Sequence, residues 1–488
     1  MEGSILSMSA GTNRPWQVET NGINKIPDPL RTGRVRDLFW IWFAANIGIL
    51  GVVYGAVILS FGLNFLQSLL VIILGTASFF LVGILSVAGR DGGAPMMTLS
   101  RKVFGIYGNI LPNIVSWLSL LGWETITVIT GTFALSALFE IYWHASYIVL
   151  SVVAMVIMLL CIVAASLLGQ ATLVIIQTWA SYIFGALTLL IIALIIPDTH
   201  WNTLLTRPEG PWLTGFLPAL SIVMAGTGLS WVNAAADYSR YLPKRTKPMS
   251  IVWAAALGGG IPLVILMVVG VLLATRVPSL ATSANPIAVI RNALPPWAAV
   301  PYLITAAAGL VVEGDLSLYS SGLNLLNMFI PIERYKTVVI DALIMTAGTM
   351  YVVLIAQNFL GPFESFVTLF GIGLAAWAGI FLADQWSDKT VRNYPQELLF
   401  PQDKDSRGKI RWPALIAWIM GIAVGILFTT SPFFSGPLAR GIFADSSFEL
   451  IFAFLVGALF FLLLKPIVSG VSAVMAKPSE AKSKVKEL

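Results

Sequence analysis

Apolar residues occur in long runs along almost the whole chain, separated by short polar segments. A helix that crosses a bilayer needs about 20 apolar residues, and only a helix or a closed barrel satisfies its own backbone hydrogen bonds in lipid. The runs have this length, so the pattern predicts an all-α polytopic membrane protein. Twelve spans are predicted, at residues 38–62, 66–89, 109–139, 146–168, 171–197, 214–236, 250–275, 297–329, 337–357, 361–383, 412–430 and 447–464.

Composition and charge agree with this prediction. Of the 488 residues, 57% are hydrophobic and 11% are charged, whereas soluble domains carry roughly a quarter charged residues. With the N-terminus placed in the cytoplasm, cytoplasmic segments contain all but four of the 29 Lys and Arg residues, as the positive-inside rule requires. The exceptions are Arg207, Arg276, Arg291 and Arg440. We therefore expect a multi-pass protein of the cell (plasma or inner) membrane with both termini cytoplasmic, and a net charge of +5 that needs no nucleic-acid partner.

The spans divide the chain into six segments. We expect a cytoplasmic N-terminal segment, helices 1–5, helices 6–10, a cytoplasmic loop, helices 11–12 and a cytoplasmic tail. These segments cover residues 1–37, 38–197, 198–383, 384–411, 412–467 and 468–488, respectively. Short amphipathic helices are expected outside the spans, at residues 91–102 and 286–294.

Glycine clusters lie near the middle of spans 1 and 6, at residues 46–51 and 225–230. Each of these spans opens a five-helix half, and transporters built from two inverted repeats have broken helices at matching positions. Glycine weakens a helix by about 1 kcal/mol relative to alanine, and it lets the backbone face a ligand. The alternative is that these small residues only allow close packing of helices.

Three of the acidic residues inside apolar spans stand out: Glu124 in span 3, and Glu313 and Asp315 in span 8. A charged group at the bilayer centre costs about 2.5–3.5 kcal/mol on insertion scales, so such residues usually face a cavity and have a function. Glu313 and Asp315 point about 200° apart on a helix, so they cannot share one face. The alternative for each acid is a structural carboxyl that binds backbone groups freed by a broken helix.

Catalytic or metal-binding groups are not clustered in this sequence. The histidines, His144 and His200, fall in predicted outer loops, and the single cysteine, Cys161, lies in span 4. An intramolecular disulfide and a metal site built on several cysteines are therefore excluded. We expect no enzymatic activity, no cofactor and no obligate protein partner. A channel is a further alternative, against which the broken helices and buried acids argue.

Two tryptophans, Trp123 in span 3 and Trp231 in span 6, fall at mid-depth in the membrane. Most tryptophans of membrane proteins belong to interfacial belts, which does not explain this position. Each is therefore either a helix-packing residue or a wall on which a flat ring stacks. Offset stacking on an indole gains about 0.5–1.5 kcal/mol beyond burial.

Four segments carry a resemblance to a known family. They are LSRKVFG at 99–105, Gly122-Trp123, ADYSRY at 236–241, and Asp315 with LYSSGL at 318–323. In this order and spacing they resemble the nucleobase:cation symporter-1 family, the purine–cytosine permeases. The resemblance implies the leucine-transporter fold, with two inverted five-helix repeats plus two extra helices. It also implies alternating access, in which helices 1, 2, 6 and 7 move against a scaffold.

The resemblance further implies a planar substrate held between an aromatic residue on helix 3 and one on helix 6. Members of the family transport cytosine, purines, uracil, allantoin, hydantoins and some vitamins. Trp123 matches the first aromatic position, whereas the second aligns nearer Gly228 than Trp231, and a glycine there would enlarge the cavity. We therefore expect import of a purine or cytosine-like base; another small heterocycle or an amino acid is the alternative. The predicted substrate-binding residues are Gly51, Trp123, Glu124, Gly228, Ser230, Trp231, Asn233 and Asp315.

The coupling cation is predicted from span 8. In sodium-coupled relatives, helix 8 supplies neighbouring hydroxyl side chains just before the matching Asp, and here these places hold Val312 and Glu313. Valine has no side-chain oxygen, whereas a glutamate can take a proton, and apolar surroundings favour its neutral form. We therefore expect proton coupling at Glu313, with Gly48 and Gly309 beside it; sodium is the alternative.

Overall fold

In the computed structural model, the described residues are 15–17, 19, 21–283, 285–330, 332–356, 360–387, 394–400, 410–431 and 434–475. Residues 1–14 of the predicted N-terminal segment, much of the 384–411 loop and the tail beyond 475 lie outside this set. The helices are α1 (Val35–Ala45), α2 (Leu50–Ser60), α3 (Phe65–Thr76), α4 (Phe79–Gly92), α5 (Met96–Phe104), α6 (Ile110–Tyr142), α7 (Tyr147–Leu167), α8 (Gly169–Ile195), α9 (Trp201–Leu205), α10 (Leu217–Gly226), α11 (Gly228–Trp231), α12 (Ala235–Ser239), α13 (Pro248–Arg276), α14 (Pro286–Ala293), α15 (Pro296–Asn327), α16 (Arg334–Tyr351), α17 (Leu360–Ser387), α18 (Gln396–Leu399), α19 (Trp412–Leu427) and α20 (Glu449–Met475). A small antiparallel hairpin pairs β1 (Thr430–Ser431) with β2 (Phe434–Ser435).

The long helices confirm an all-α polytopic membrane protein. In the described part of the chain, nine helical segments are long and apolar enough to cross a membrane, and the bent pair α1–α2 makes a tenth. α19 is a shorter apolar helix that packs against α20. Observed boundaries lie close to the predicted ones. For example, α15 (Pro296–Asn327) corresponds to the predicted span 297–329. The count of twelve spans stays a prediction.

Several helices begin and end where local sequence chemistry requires. Pro248 and Pro296 occupy the first positions of α13 and α15. Proline lacks a backbone N–H, and at this position an N–H would have no acceptor within the helix. Asn64 caps α3 by accepting from the Gln67 N–H, and the Gln67 side chain accepts from the Asn64 N–H in return. Gly93 ends α4 in the left-handed region, with φ 68°.

Both predicted glycine clusters coincide with breaks in a span. In span 1, α1 ends at Ala45 and α2 begins at Leu50, and the two helices are bent by 60°. Asn46, at this break, donates from Nδ2 to the Trp42 carbonyl at 2.8 Å. In span 6, Thr227 has φ −122° and ψ −111° and separates α10 from α11. The interpretation as broken helices is therefore confirmed at both positions.

Close packing, the alternative interpretation, also holds for some of these glycines. A Cβ on Gly55 of α2 would collide with the Met267 carbonyl in α13. A Cβ on Gly228 would collide with the backbone of Ser78 and Phe79, between α3 and α4. The Gly228 N–H, freed by the break, donates to Ser78 Oγ at 3.1 Å. Glycine thus serves both to interrupt the helices and to seat them against their neighbours.

The long helices pack in two groups. We call α1–α4 with α10–α13 the bundle, and α6, α7, α8, α15 and α16 the scaffold. α6 and α15 run antiparallel at the centre of the scaffold, where Asn113 Nδ2 donates to the Asn324 carbonyl at 2.8 Å. Asn324 Nδ2 in turn donates to Ser116 Oγ at 2.7 Å. α17 contacts both groups, and α19 and α20 pack beside it.

The short helices predicted at 91–102 and 286–294 are present as α5 and α14, but α5 has no exposed face. All nine of its residues are buried. Arg101 donates to the carbonyls of Leu399 and Asn327 at 2.8 and 2.9 Å, and burial lowers the pKa of Arg101 to about 10. The Met96 N–H donates to Asp237 Oδ1 at 2.8 Å. α5 therefore joins the ends of spans 6 and 8.

Three features differ from the sequence prediction. Span 2 is interrupted between α3 and α4, where Ser78 meets the break in span 6. The hairpin β1–β2 follows α19 and begins at Thr430, the last residue of predicted span 11. α20 continues to Met475, past the predicted start of the tail at 468. Inside this helix, the Lys465 ammonium group donates to Asp384 Oδ1 at 2.7 Å.

Segments that were predicted to be cytoplasmic contact one another at one end of the molecule. Asp28 of the N-terminal segment pairs with Lys244, after span 6, at 2.9 Å. Arg31 donates to the Arg90 carbonyl, at the end of span 2, at 2.8 Å. This grouping agrees with the charge pattern, while the side of the membrane on which it lies stays a prediction.

Candidate functional site

A cavity lies at the breaks in spans 1 and 6, between the bundle and the scaffold. The space between its lining atoms, open solvent included, is about 340 Å³. Helix breaks leave backbone groups without helical partners at this wall, which is where a solute can use them. The lining residues are Ala45, Asn46, Gly48, Leu50, Gly51, Tyr54, Trp123, Gly226, Trp231, Leu263 and Glu313.

Two tryptophans form apolar walls of this cavity. Trp123 of α6 and Trp231 of α11 both line it. Trp123 packs edge to face against Phe363 and Phe366, with ring centroids 5.9 and 6.1 Å apart. Trp231 packs edge to face against Trp42, at 5.5 Å. These contacts fix both indole planes at mid-depth, as a stacking wall requires.

Glu313 is the acidic side chain that reaches the cavity. It lies on α15, is 8% exposed and lines the cavity beside the break in span 1. A Cβ on Gly48 would lie 2.9 Å from Glu313 Oε2, so a glycine at this break allows the closest approach to the carboxylate. Among the described residues, no hydrogen bond or ion pair to the Glu313 carboxylate is present. The fold thus brings together two residues that the sequence singled out for cation coupling.

Gly228, which was predicted to enlarge the cavity, does not border it. Its Cα packs against the backbone of Ser78 and Phe79, so the glycine is needed for helix packing. Gly226, two residues earlier, lines the cavity instead. A Cβ on Gly226 would collide with the Tyr54 hydroxyl, so the glycine makes room for that ring.

Two polar residues of span 6 also lie away from the cavity wall. Ser230 Oγ donates to the Thr227 carbonyl at 2.7 Å and so satisfies backbone freed by the break. Asn233 Nδ2 donates to Ser116 Oγ at 2.8 Å and joins span 6 to span 3. Both side chains were predicted to bind substrate, and in this structure both are committed to holding the broken helix.

The remaining predicted residues divide in the same way. Gly51 lines the cavity, whereas Glu124, Asp315 and Gly309 do not. Gly309 faces Phe184 of α8, at 3.8 Å from a Cβ built on it. Asp315 is 1% exposed, and neither of its oxygens has a hydrogen-bond partner among the described residues. Glu124 is fully buried and faces α16 instead of the cavity.

Six lining residues were not selected from the sequence: Ala45, Asn46, Leu50, Tyr54, Gly226 and Leu263. Asn46 and Gly226 belong to the two glycine clusters, so the cluster pattern contained a signal for both. Tyr54 is an aromatic residue one turn past Gly51, and its ring lies 5.8 Å from that of Phe363 on α17. Leu263 belongs to an unbroken apolar helix and had no signal that could distinguish it.

A larger, mostly apolar cavity adjoins the first at Gly48. It holds about 520 Å³ of empty space between α2, α8, α13, α14 and α15. Ile290 of α14 lines its far side, and α14 follows a segment predicted to be extracellular. Its polar lining groups include Tyr302 and Thr188. The Glu313 region therefore borders space that extends toward the predicted outer end.

At the opposite end, Glu19 of the N-terminal segment joins the bundle to the scaffold. Its carboxylate accepts from Arg240 at 3.0 Å and from Tyr241 at 2.5 Å, both just after α12. It also accepts from Tyr319 of α15 at 3.0 Å and from Arg334 of α16 at 3.4 Å. Burial alone would raise the pKa of Glu19, but Arg334 and Arg240 hold that pKa below its usual value. An ionised Glu19 thus closes this end of the molecule.

Broken helices around a buried cavity define a multi-pass membrane transporter. Residues 25–457 match the family described as the permease for cytosine/purines, uracil, thiamine and allantoin. The chain therefore belongs to this permease family, as its sequence motifs indicated. It is a transporter and not an enzyme.

Similar proteins cover nearly the whole chain. YxlA of Bacillus subtilis, which is named among the purine-cytosine permeases, is 30% identical over 92% of this chain and 96% of its own length. The purine-cytosine permease fcyB of Emericella nidulans is 25% identical over 92% of this chain and 88% of its own length. The structure of Mhp1, a nucleobase-cation-symport-1 family transporter in a closed conformation with bromovinylhydantoin bound, superposes with a TM-score of 0.71. It is 18% identical, covers 92% of this chain and 96% of its own, and confirms the leucine-transporter-type fold.

Proposed function

We propose that this chain is a secondary transporter that imports a nucleobase, purine or cytosine-like, together with a proton by alternating access. The observation that carries the proposal is the shared cavity: the Glu313 carboxylate and the two tryptophan walls face the same space at the breaks of spans 1 and 6. A solute bound there can influence both the ion-binding group and the two groups of helices that must move.

The walls suit a flat heterocycle. Trp123 and Trp231 offer indole rings at mid-depth, and each base–aromatic stack is worth about 1–3 kcal/mol. The relatives that cover most of the chain are named purine-cytosine permeases. Asn46, Glu313 and the freed backbone at Gly48 and Gly226 are then the polar groups available for ring N–H and carbonyl groups.

Glu313 favours a proton over sodium. Val312, beside it, has no side-chain oxygen, and its carbonyl already accepts from Gln177 Nε2 of α8 at 2.9 Å. A sodium site needs several oxygen ligands in one place, whereas a proton needs a single carboxylate. A proton on Glu313 removes a buried charge next to the substrate, and its release to the cytoplasm resets the cycle.

Alternating access is supported by the contacts between the bundle and the scaffold. At the predicted cytoplasmic end, Glu19 holds Arg240 and Tyr241 of the bundle against Tyr319 and Arg334 of the scaffold. Release of substrate to this side requires these bonds to break. The cavity lies directly between the two groups, so their relative movement changes which side it faces.

The test uses the purified protein in proteoliposomes with imposed gradients. An inward proton gradient without sodium should drive accumulation of a labelled purine or cytosine, and unlabelled bases should compete for it. Uptake that strictly requires sodium would refute proton coupling while leaving nucleobase transport intact. Competition by allantoin, hydantoin, a vitamin or an amino acid, but not by bases, would replace the proposed substrate class. Flux that does not saturate would indicate a channel.

A further inference from the structure

A second pair of carboxylates lies away from the central cavity, where α6, α15 and α16 meet. Glu124 of α6 and Asp341 of α16 are both fully buried. Ser321 of α15 donates to Asp341 Oδ2 at 2.7 Å, and Trp117 Nε1 donates to Asp341 Oδ1 at 3.0 Å. Trp117 and Glu124 are seven residues apart on one helix, so they share a face, and both point toward Asp341. The Asp341 carboxylate lies within electrostatic range of Glu124.

The register of α6 and α15 places a second hydroxyl at the level of Glu124. A Cβ on Gly314 would lie 2.9 Å from Thr127 Oγ1, so this face of α15 looks onto α6. Ser317 and Ser321 follow Gly314 at intervals of three and seven residues and therefore share its face. Ser317 Oγ is fully buried and has no hydrogen-bond partner among the described residues. The two carboxylate oxygens of Glu124 are likewise buried and have no hydrogen-bond partner among the described residues.

The pair has no compensating positive charge. Within the described residues, no basic side chain forms an ion pair with Glu124 or Asp341. The other acids of these helices are Glu313, which lines the cavity, Glu140, which pairs with Arg291, and Asp315, whose oxygens have no hydrogen-bond partner among the described residues. α7 packs against all three helices and carries no Asp, Glu, Lys, Arg or His. Two ionised carboxylates side by side in such a place are strongly disfavoured, so one of them has to be neutral.

We propose that Glu124, Ser321 and Asp341 form a second proton-binding site, in which one proton is held between the two carboxylates. Asp341 accepts two hydrogen bonds, which favour its ionised form, whereas no group in the described part of the chain donates to the Glu124 oxygens. The proton therefore resides on Glu124. The protonated Glu124 then donates a hydrogen bond to a serine hydroxyl of α15. This bond completes a hydrogen-bonded chain from Glu124 through Ser321 to Asp341.

This site ties three scaffold helices together and is separate from the proton that Glu313 binds. All three of its side chains, and the adjacent Ser317, are fully buried within the scaffold. The inference does not depend on the substrate or on the coupling ion of transport. Loss of the proton at alkaline pH would leave two negative charges at the α6–α16 contact and loosen the scaffold.

The test is infrared spectroscopy of the full-length protein in lipid nanodiscs, in the carbonyl-stretch region of protonated carboxylic acids. The wild-type spectrum minus that of Glu124→Gln should contain one protonated-carboxyl band at neutral pH. In Asp341→Asn the band should remain but shift, because Glu124 keeps its proton and loses its charged acceptor. The matched control is Glu449→Gln, a buried acid at the start of α20 that bonds Ser221 and should leave this difference band unchanged.

Melting temperature gives a second readout. It should fall at alkaline pH in the wild type and less in Glu124→Gln, because glutamine cannot lose a proton there. Identical carboxyl bands in wild type and Glu124→Gln would overturn the proposal. A wild-type band that disappears on addition of sodium at constant pH would assign the site to sodium instead. If Glu124→Gln does not fold, an unshifted carboxyl spectrum in Asp341→Asn would likewise overturn it.

Discussion

Two buried glutamates on neighbouring helices of the scaffold have opposite surroundings. Glu313 of α15 borders the central cavity beside the break in span 1, and Gly48 brings that break close to its carboxylate. Glu124 of α6 lies in a closed helix contact, opposite the carboxylate of Asp341. Both are acids in long apolar spans, so the sequence pattern treats them alike. The helix face on which a buried acid lies therefore decides which glutamate can meet a solute; the presence of a buried acid alone does not.

A third buried acid, Glu19, sharpens the contrast. Two arginines at the end of the molecule keep it ionised, whereas no basic partner of Glu313 or Glu124 is present among the described residues. Three glutamates therefore occupy three electrostatic settings: a cavity wall, a pair of like charges, and an ion-pair cluster. Substitutions at these glutamates and their neighbours should separate the three settings.

Glu313→Gln should abolish gradient-driven accumulation and keep exchange of substrate across the membrane. Glutamine preserves the shape of the neutral acid but cannot carry a proton, so transport loses its driving ion while the cavity remains. Parallel accumulation and exchange assays in proteoliposomes measure this. Glu449→Gln, which removes a buried acid elsewhere, should keep both activities. Full accumulation by Glu313→Gln would show that Glu313 is a structural carboxyl.

Glu19→Gln should loosen the N-terminal segment from both the bundle and the scaffold. Removing one partner of a buried ion pair costs roughly 3–5 kcal/mol, because the other charge is left uncompensated. Hydrogen exchange of the Ile26 and Gly33 amides, which donate to the carbonyls of Gly93 and Tyr241, should become faster. Lys244→Gln is the control, since its exposed pair with Asp28 is worth only about 0–1 kcal/mol.

The same cluster predicts a pH dependence with a definite sign. The pKa of Glu19 is held below its usual value, so its stabilisation is complete above the unfolded pKa of about 4.3. It should be lost as the pH falls through the lower, folded-state pKa. Exchange of the same amides should therefore accelerate in acid in the wild type and change less in Glu19→Gln. If acid accelerates exchange equally in the wild type and in Glu19→Gln, another group causes the pH dependence.

Trp123→Ala should weaken substrate binding by about 1–3 kcal/mol, as expected for loss of an aromatic platform. Trp231→Ala tests the opposite wall in the same way. The control is Trp117→Phe, on the other face of α6, which removes the hydrogen bond to Asp341 and leaves the cavity wall in place. Equilibrium binding of a labelled base to purified protein distinguishes them. Equal affinity for wild type and a folded Trp123→Ala would remove that residue from the site.

Gly48→Ala and Gly309→Ala should give the smallest effects, and these should differ. A methyl group at 48 would lie 2.9 Å from Glu313 Oε2 and displace the carboxylate, so accumulation should decrease. At 309 it would meet Phe184 at 3.8 Å, an ordinary contact, and replacing a helical glycine gains about 0.5–1 kcal/mol of stability. Transport rates and melting temperatures of the two variants measure this. A larger loss of transport at 309 would place the cation nearer α8.

The sequence by itself determined the membrane-spanning helices, the two broken spans and the family. Long apolar runs dictate helices in lipid because no other partner exists for the backbone there. The glycine clusters at 46–51 and 225–230 indicated the breaks, since glycine costs a helix about 1 kcal/mol per residue. The same physics identified Glu313 and the two tryptophans as unusual at mid-depth, and all three line the cavity.

Only the tertiary structure decided which neighbours each marked residue meets. Asp341, Ser317 and Ser321 come from spans far from Glu124 in sequence, so no local pattern could show that they surround it. Gly228 was expected at the cavity and instead seats span 6 against Ser78, because the direction of a side chain after a helix break does not follow helical periodicity. Local hydrophobicity fixes where a helix lies in the chain, but rotation about its axis depends on contacts with distant helices.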